Sequence, residues 1–204
     1  MEQYKGTREE YFLEAVEILR NGLFKQKGHE IPPVKVSCGY PPRGGTGTRK
    51  MTLGVCTSRS CSDAQINEIF INPTLSELIS TEQEAGVLGV LVHELVHAVD
   101  DCQHGHGKEF RDIAKAVGLE GKMTSTTESE ELNRYFENSI IKKLGGYPHA
   151  SLTVNNKKQG TRMLKVECPV LGCESMAYQS NKQLTENPVL CSHHKKLLIH
   201  IPKD

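Results

Sequence analysis

The hydrophobic pattern predicts a first helix near the start of the chain. Apolar residues recur at helical spacing at Phe12, Ala15, Val16, Leu19 and Leu23. Thr7 and Glu10 have the spacing of a capping box, in which side chains satisfy the N–H groups at a helix start. Gly28 favours a helix end. The pattern therefore indicates a helix from about Arg8 to Gln26.

Short stretches of alternating apolar and polar residues predict a small sheet. They lie at 34–38, 51–56 and 68–72, and turn-forming residues separate them. Segment 40–50 is rich in Gly and Pro and lacks the lysine spacing of a P-loop. It therefore predicts a flexible turn and not a phosphate site.

A second helix is predicted to be buried, because apolar residues cover almost every side of it. These residues are Val87, Leu88, Val90, Leu91, Val92, Leu95, Val96 and Val99. Ser80 with Gln83, or Thr81 with Glu84, has capping-box spacing before them. The prediction is a helix that starts there and runs to about Asp101.

This buried helix carries an HExxH sequence, formed by His93, Glu94 and His97. Histidines four residues apart lie on one helical face, so both rings can reach one metal ion. The glutamate is placed to accept a proton from a metal-activated water. The alternative is a helix whose histidines are merely hydrogen-bonded. Burying three such groups without a partner is costly, so a metal site is favoured.

A catalytic zinc usually takes three protein ligands, so the site needs one more. The metzincin pattern would require Gly at position 100 and His at position 103, where this chain has Asp100 and Gln103. Distal carboxylates and two nearer histidines remain as candidates. They are Glu109, Asp112, Glu120, His104 and His106.

The sequence that follows HExxH resembles that of the SprT-like metalloproteases, which include bacterial SprT and the DNA–protein crosslink protease Spartan. The central similarity is HExxH followed by His106-Gly107-x-x-Phe110 at the start of another helix. Further similarities, over roughly residues 8–145, are Gly54-Val55-Cys56, Ile69-Phe70-Ile71-Asn72-Pro73 and Val117-Gly118-Leu119.

The resemblance implies an α+β, zincin-like domain over residues 1–146, with helices around a small sheet and HExxH on the central helix. It implies that His106 is the third zinc ligand and that His104 is only a neighbour. The sequence alone leaves His104 as the substitute candidate. Helices are expected at 107–117 and at about 129–144, the second ended by Gly145-Gly146. The polar segment 147–160 is predicted to be a linker.

A second set of metal-binding residue types lies near the C-terminus. Cys168-x4-Cys173 and Cys191-x2-His194 resemble the paired ligands of a zinc ribbon, and His193 competes with His194. Four such ligands close a tetrahedral structural site. We expect a zinc-ribbon-like module over residues 161–204, with strands near 163–166, 176–178 and 197–201. Its core is small, so the metal would supply much of its folding energy. The alternative is unrelated cysteines in a reducing compartment.

The other cysteines are Cys38, Cys56, Cys61 and Cys102. Cys56 and Cys61 could pair as ligands, but no second pair has convincing spacing, so buried thiols are favoured. Cys102 lies near the predicted metal site. An odd total of 7 cysteines without an export signal argues against a disulfide framework. Without an apolar run of membrane-spanning length, we expect an intracellular protein, cytoplasmic or nucleoid-associated, with no membrane partner.

Charge is unevenly distributed along the chain. Residues 151–204 contain 8 Lys and Arg against 4 Asp and Glu, whereas residues 1–150 contain 17 against 21. The C-terminal module is therefore the better candidate for contact with a phosphate backbone, although a solvated surface also accounts for the excess. Trp is absent and aromatic residues are sparse, so stacking on nucleic-acid bases is not expected.

The resulting hypothesis is a zinc-dependent endopeptidase with one catalytic and one structural zinc ion. His93, His97 and His106 would hold the catalytic ion, and Glu94 would be the general base. Protein substrates are expected, including DNA-associated or DNA-crosslinked proteins. The alternative is a non-proteolytic, zinc-dependent nucleic-acid-binding protein with a vestigial HExxH site.

Overall fold

The computed structural model describes residues 2–46, 51–81, 85–153 and 163–201. The chain divides into two compact units, Met1–Asn155 and Asn156–Asp204. Helices and small sheets are both present, which confirms the predicted α+β class. Within the described residues, no helix combines the length and apolar character that crossing a bilayer requires.

Helix α1 (Arg8–Leu19) opens the first unit and continues through a π-helical turn, Arg20–Phe24. The predicted capping box is confirmed. The Glu10 N–H donates to the Thr7 hydroxyl at 3.2 Å, and the Thr7 N–H donates to the Glu10 carboxylate at 2.7 Å. Gly28 then ends the helical segment with a positive φ of 77°.

A mixed three-stranded sheet follows, with strand order β1-β3-β2. Strand β1 (Val34–Cys38) is parallel to β3 (Asn67–Ile71), and β2 (Gly54–Thr57) is antiparallel to β3. The predicted start of the second strand at residue 51 is too early. The Thr52 N–H donates to Gly44 O, so this part of the chain is held by the preceding turn. Residues 47–50 of that turn lie outside the described residues.

Helix α2 (Val87–Val99) is the central helix and packs on β2 and β3. Its burial is confirmed on almost all sides, since Val87, Leu88, Leu91, Val92, Leu95 and Val96 are fully buried.

The predicted start of α2 near residue 80 is wrong. The helix has Gly86 as its N-cap and no capping side chain. Its first N–H groups donate instead to the carbonyls of Glu77 and Leu78, at 2.7 and 3.1 Å. The Ser80 hydroxyl accepts a hydrogen bond from the Gly86 N–H at 2.8 Å. The preceding loop therefore provides hydrogen-bond acceptors for the N–H groups at the start of the helix. Gln83 and Glu84 lie outside the described residues.

Helix α3 (Lys108–Ala116) leads into a hairpin that the hydrophobic pattern does not predict, β4 (Leu119–Lys122) and β5 (Ser125–Glu128). The two strands are mostly polar and exposed, so they lack the apolar alternation of a half-buried strand. The hairpin nevertheless lies close to α2. A Cβ at Gly89 would collide with the Glu128 side chain as it is placed here, so the absence of a side chain at position 89 makes room for that carboxylate.

The last helical segment of the first unit runs without a break through α4 (Glu130–Tyr135), a π-helical stretch Phe136–Ile141 and α5 (Lys142–Leu144). This agrees with the helix predicted at 129–144. Residues 147–153 of the predicted linker are part of the first unit, and residues 154–160 lie outside the described residues. The Leu152 N–H donates to Pro73 O at 2.9 Å, and Tyr147 is buried.

The second unit contains an antiparallel sheet of order β7-β6-β8. Its strands are β6 (Met163–Glu167), β7 (Met176–Ser180) and β8 (Ile199–His200), close to the predicted positions. A short helix, α6 (Asn181–Glu186), was not predicted. The buried core consists of Val166, Cys168, Cys191 and Leu198. Half of this core is cysteine, which fits a metal-dependent fold.

Candidate metal centres

Three histidine rings converge at the end of α2. Nε2 of His106 lies 3.1 Å from Nε2 of His93 and 3.3 Å from Nε2 of His97. For tetrahedral zinc with Zn–N bonds of ~2.0–2.1 Å, two ligand nitrogens stand about 3.3–3.4 Å apart. The spacing of these nitrogens therefore fits zinc ligation by all three rings.

His106 reaches the site because the chain turns back directly after α2. The Cys102 N–H donates to His97 O at 2.8 Å and closes the helix. Asp101 and Cys102 both adopt positive φ, at 52° and 60°, as does Gly105 at 51°. This run of left-handed residues reverses the chain within a few positions and delivers His106 to the two helical histidines.

The other candidates for third ligand lie outside this group. Nδ1 of His104 is 3.3 Å from the Asp100 carboxylate, which also accepts the His104 N–H at 3.3 Å. Among the described residues, the group that converges with His93 and His97 contains His106 but neither His104 nor any carboxylate. Glu109, Asp112 and Glu120 are therefore not brought to this site.

The β5 strand supplies a contact that the sequence did not indicate. Thr126 Oγ1 lies 2.9 Å from Nδ1 of His93. In the tautomer that leaves Nε2 unprotonated for a metal, the Nδ1–H donates to this hydroxyl. A threonine in a polar hairpin has no spacing relationship to HExxH, so nothing in the sequence pointed to it.

Phe110 forms the wall beneath the histidines and is fully buried. Its ring centroid lies 4.9 Å from that of His93, 4.4 Å from His97 and 5.0 Å from His106. This contact explains the phenylalanine of the HGxxF pattern, because the ring packs against all three imidazoles.

The histidines are held in the form that binds metals. Burial is the main cause that lowers the pKa of His93 to about 3 and of His97 to about 4, and the neighbouring rings add to the effect. Burial also lowers the pKa of His106. The rings are therefore neutral at pH 7, with lone pairs available for ligation.

The carboxylate of Glu94 lies beside strand β2. Burial, with the nearby Cys102 thiol as a smaller cause, raises the pKa of Glu94 to about 8, while a hydrogen bond from the Cys56 N–H opposes the shift. Strand β2 approaches closely because it has a glycine here. A Cβ at Gly54 would lie 2.7 Å from Glu94 Oε1. The carboxylate is thus confined between α2 and β2.

The turn after α2 is anchored by Asp101. Its Oδ1 accepts hydrogen bonds from the Arg59 N–H at 2.8 Å and from Asn67 Nδ2 at 2.9 Å. These bonds, the first above all, lower the pKa of the Asp101 carboxyl. They connect the turn to β3 and to the 3-10 turn at Arg59–Cys61.

A second group of ligand atoms lies in the second unit, formed by Cys168, Cys173, Cys191 and His194. Nδ1 of His194 lies 3.6 Å from the sulfurs of Cys168 and Cys191, and the Cys173 and Cys191 sulfurs are 3.7 Å apart. Tetrahedral zinc with Zn–S bonds of ~2.3 Å would separate its ligands by about 3.6–3.8 Å. The geometry therefore fits a four-ligand site, and His194 rather than His193 belongs to it.

Two contacts favour a thiolate at Cys191. The Ser175 hydroxyl lies 3.4 Å from the Cys191 sulfur, and the His194 N–H donates to the same atom at 3.5 Å. These hydrogen bonds, that of Ser175 above all, lower the pKa of Cys191 to about 5. Thiolate is the form that binds zinc. Ser175 was not predicted as part of this site.

The remaining cysteines do not pair as Cys56 with Cys61. Cys61 is exposed in the 3-10 turn, so the prediction of a buried thiol is wrong at this position. The thiol of Cys56 interacts with that of Cys102. Cys38 lies 3.8 Å from the Tyr147 hydroxyl. Among the described residues, no third metal-binding group includes any of these four.

Comparison with protein families gives one match. Residues 44–130 match the model of the SprT-like family, a segment that contains all three histidines, Glu94 and the β4–β5 hairpin. This confirms the resemblance inferred from HExxH and HGxxF, over a shorter segment than expected. Searches of curated proteins and of solved structures gave no match.

Proposed function

We propose that this protein, whose residues 44–130 match the model of the SprT-like family, is a zinc-dependent endopeptidase that hydrolyses protein substrates. The observation that supports the proposal best is the convergence of three neutral imidazole nitrogens, 3.1 and 3.3 Å apart, next to a buried glutamate. A purely structural zinc site has four protein ligands and no use for such a carboxylate.

In this proposal His93, His97 and His106 hold the catalytic zinc through Nε2. When bound, zinc lowers the pKa of water and polarises the scissile carbonyl. Thr126 fixes the ring of His93 through its Nδ1–H, and Phe110 supports all three rings from below. These contacts preorganise the ligands, which is what the groups behind a metal ligand usually contribute.

Glu94 is the general base and acid. It takes a proton from the attacking water and passes it to the leaving amine. The raised pKa of Glu94 makes its carboxylate a better proton acceptor than an exposed glutamate. The Cys56 N–H orients the carboxylate, so β2 contributes its backbone to the site.

The second unit would hold a structural zinc through Cys168, Cys173, Cys191 and His194. Four protein ligands leave no position for a reacting water. The small apolar core of this unit supports a role for the metal in folding.

We extend the proposal to DNA-associated substrates, recognised through the basic second unit. In the described part of this unit, Lys165 and Lys182 contact Glu167 and Glu186, which offsets their charge. Lys195 and Lys196 are exposed, and the proposed phosphate contact depends on them. The other basic residues, Lys157, Lys158, Arg162 and Lys203, lie outside the described residues. Any phosphate contact is therefore expected to be weak.

Hydrolysis of an unstructured protein such as casein, followed with and without a chelator, tests the proposal. Activity that a chelator removes and stoichiometric zinc restores would support an endopeptidase. A zinc-loaded protein that cleaves neither casein nor itself, yet binds nucleic acid, would favour the non-proteolytic alternative.

A further inference from the structure

Two thiols lie together at the edge of the site, although they are distant in the sequence. Cys56 is on β2, and Cys102 lies in the turn that follows α2. The Cys102 sulfur lies 3.5 Å from Cys56 O, and the two thiols interact with each other. Both residues are only partly buried.

The backbone keeps the two cysteines in this arrangement. Cys102 is held by its N–H bond to His97 O and by the preceding Asp101, whose carboxylate binds Arg59 and Asn67. Cys56 is held in the ladder between β2 and β3, opposite Ile69. Neither residue needs a large rearrangement to meet the other.

The pair also adjoins the group proposed as the general base. The Cys56 N–H is hydrogen-bonded to the Glu94 carboxylate, and the Cys102 side chain is close enough to interact with it electrostatically. Cys102 lies in the short segment between His97 and His106. A covalent change at these sulfurs therefore acts on both the base and the turn that carries a ligand.

We propose that Cys56 and Cys102 form a reversible disulfide on exposure to hydrogen peroxide, and that this bond lowers the activity of the site. The first half stands on the geometry of the two cysteines, whereas the second half rests on the proposed peptidase function.

The chemistry requires one peroxide for each bond. One thiol attacks a peroxide oxygen, so the O–O bond breaks, a sulfenic acid forms and a first water leaves. The second thiol attacks that sulfur, so the S–S bond forms, the S–O bond breaks and a second water leaves. Two thiols are oxidised to one disulfide and one peroxide is reduced to two waters.

The bond would move the groups on either side of it. A disulfide brings its sulfurs to ~2.05 Å and its Cβ atoms to ~3.8 Å. The bond would link β2 covalently to the turn after α2 and fix the separation of the two segments at this value. The N–H of Cys56 would then no longer orient Glu94 as before, and the turn between His97 and His106 would shift with Cys102.

The first measurement does not depend on activity. Full-length, zinc-loaded protein is treated with hydrogen peroxide, its free thiols are alkylated, and its peptides are mapped by mass spectrometry. We expect a Cys56–Cys102 crosslink that a phosphine reductant reverses. Cys61→Ser should still form it, and Cys102→Ser should not. If Cys56 and Cys102 can still be alkylated after the exposed Cys61 has been oxidised, the proposal is wrong.

The second measurement compares activity before and after peroxide, with zinc content determined for each sample. Since misplacing a catalytic group by about 1 Å can cost ~100-fold, we expect a fall of roughly tenfold to a hundredfold in wild type and Cys61→Ser. Peroxide should not change the activity of Cys102→Ser. This control separates the effect of the Cys56–Cys102 bond from oxidation of the thiols in the second unit. A crosslink without loss of activity overturns the regulatory half. If untreated protein has no activity, the proposed function fails, while the peptide map still decides the disulfide.

Discussion

The hydroxyl of Thr126 lies 2.9 Å from Nδ1 of His93, so a polar hairpin orients the first histidine of the helix. This contact links β5 to α2 across a stretch of chain that includes the whole metal-binding turn. The orientation of a ligand on the central helix therefore depends on a strand that adds almost nothing to the apolar core.

Removing that hydroxyl should weaken metal binding. Groups that hold a ligating histidine typically contribute about 10- to 100-fold in metal affinity or activity. We expect Thr126→Ala to lose zinc at a lower concentration of a competing chelator than wild type does. Thr126→Ser should behave like wild type. Equal zinc affinity in both variants would mean that the hydroxyl does not position His93.

Glu94→Gln should keep zinc in the catalytic site and lose most proteolysis. The three ligands remain, but an amide cannot accept the proton, and general acid–base catalysis is worth about 10²- to 10⁴-fold. Zinc content by elemental analysis and casein hydrolysis, measured on the same samples, test this. Near-normal cleavage at matched zinc content would remove Glu94 from the mechanism.

His106→Ala should lose catalytic zinc far more readily than His104→Ala. The ring nitrogen of His106 stands 3.1 Å from that of His93, whereas His104 is paired with Asp100. The two variants form a matched pair in the same turn. The reverse order of zinc loss would show that His104 is the ligand.

The protein should bind two zinc ions, one in each group. Cys191→Ser should remove one of them and unfold the second unit, because its core is built around that ligand set. The histidine site should keep its zinc and its peptidase activity, and Cys61→Ser serves as the control. A wild-type content of one zinc that Cys191→Ser does not change would rule out the structural site.

DNA binding, if it occurs through the second unit, should be sequence-independent and steeply salt-dependent. The expected slope is about −0.7 to −0.9 for each phosphate neutralised. Lys195→Ala with Lys196→Ala should reduce the slope, whereas Lys182→Ala, whose lysine contacts Glu186, should change it little. The measurement is a salt titration with single- and double-stranded DNA. No binding at low salt would leave a peptidase without a DNA requirement.

The features that could be predicted from sequence depend on local geometry. His93 and His97 share a helical face because they are four residues apart, and the Thr7 capping box follows from spacing alone. His106 was reached through the HGxxF pattern, whose phenylalanine packs on all three rings.

The features that were missed depend on contacts between distant segments. The start of α2 is set by the carbonyls of Glu77 and Leu78, not by a capping side chain. Thr126, Ser175 and the Cys56–Cys102 pair acquire their neighbours only when the chain folds. No periodicity or spacing in the sequence encodes such contacts, since hydrogen bonds of single side chains leave no repeating pattern.

All three imidazoles occur between positions 93 and 106, in one continuous stretch of chain. During synthesis this stretch leaves the ribosome before Thr126 does, and after the strand that carries Gly54 and Cys56. The growing chain therefore presents a complete set of nitrogen ligands while the hairpin that orients His93 is still unmade. A metal ion that bound these nitrogens early would therefore meet His93 before Thr126 was in place to orient its ring.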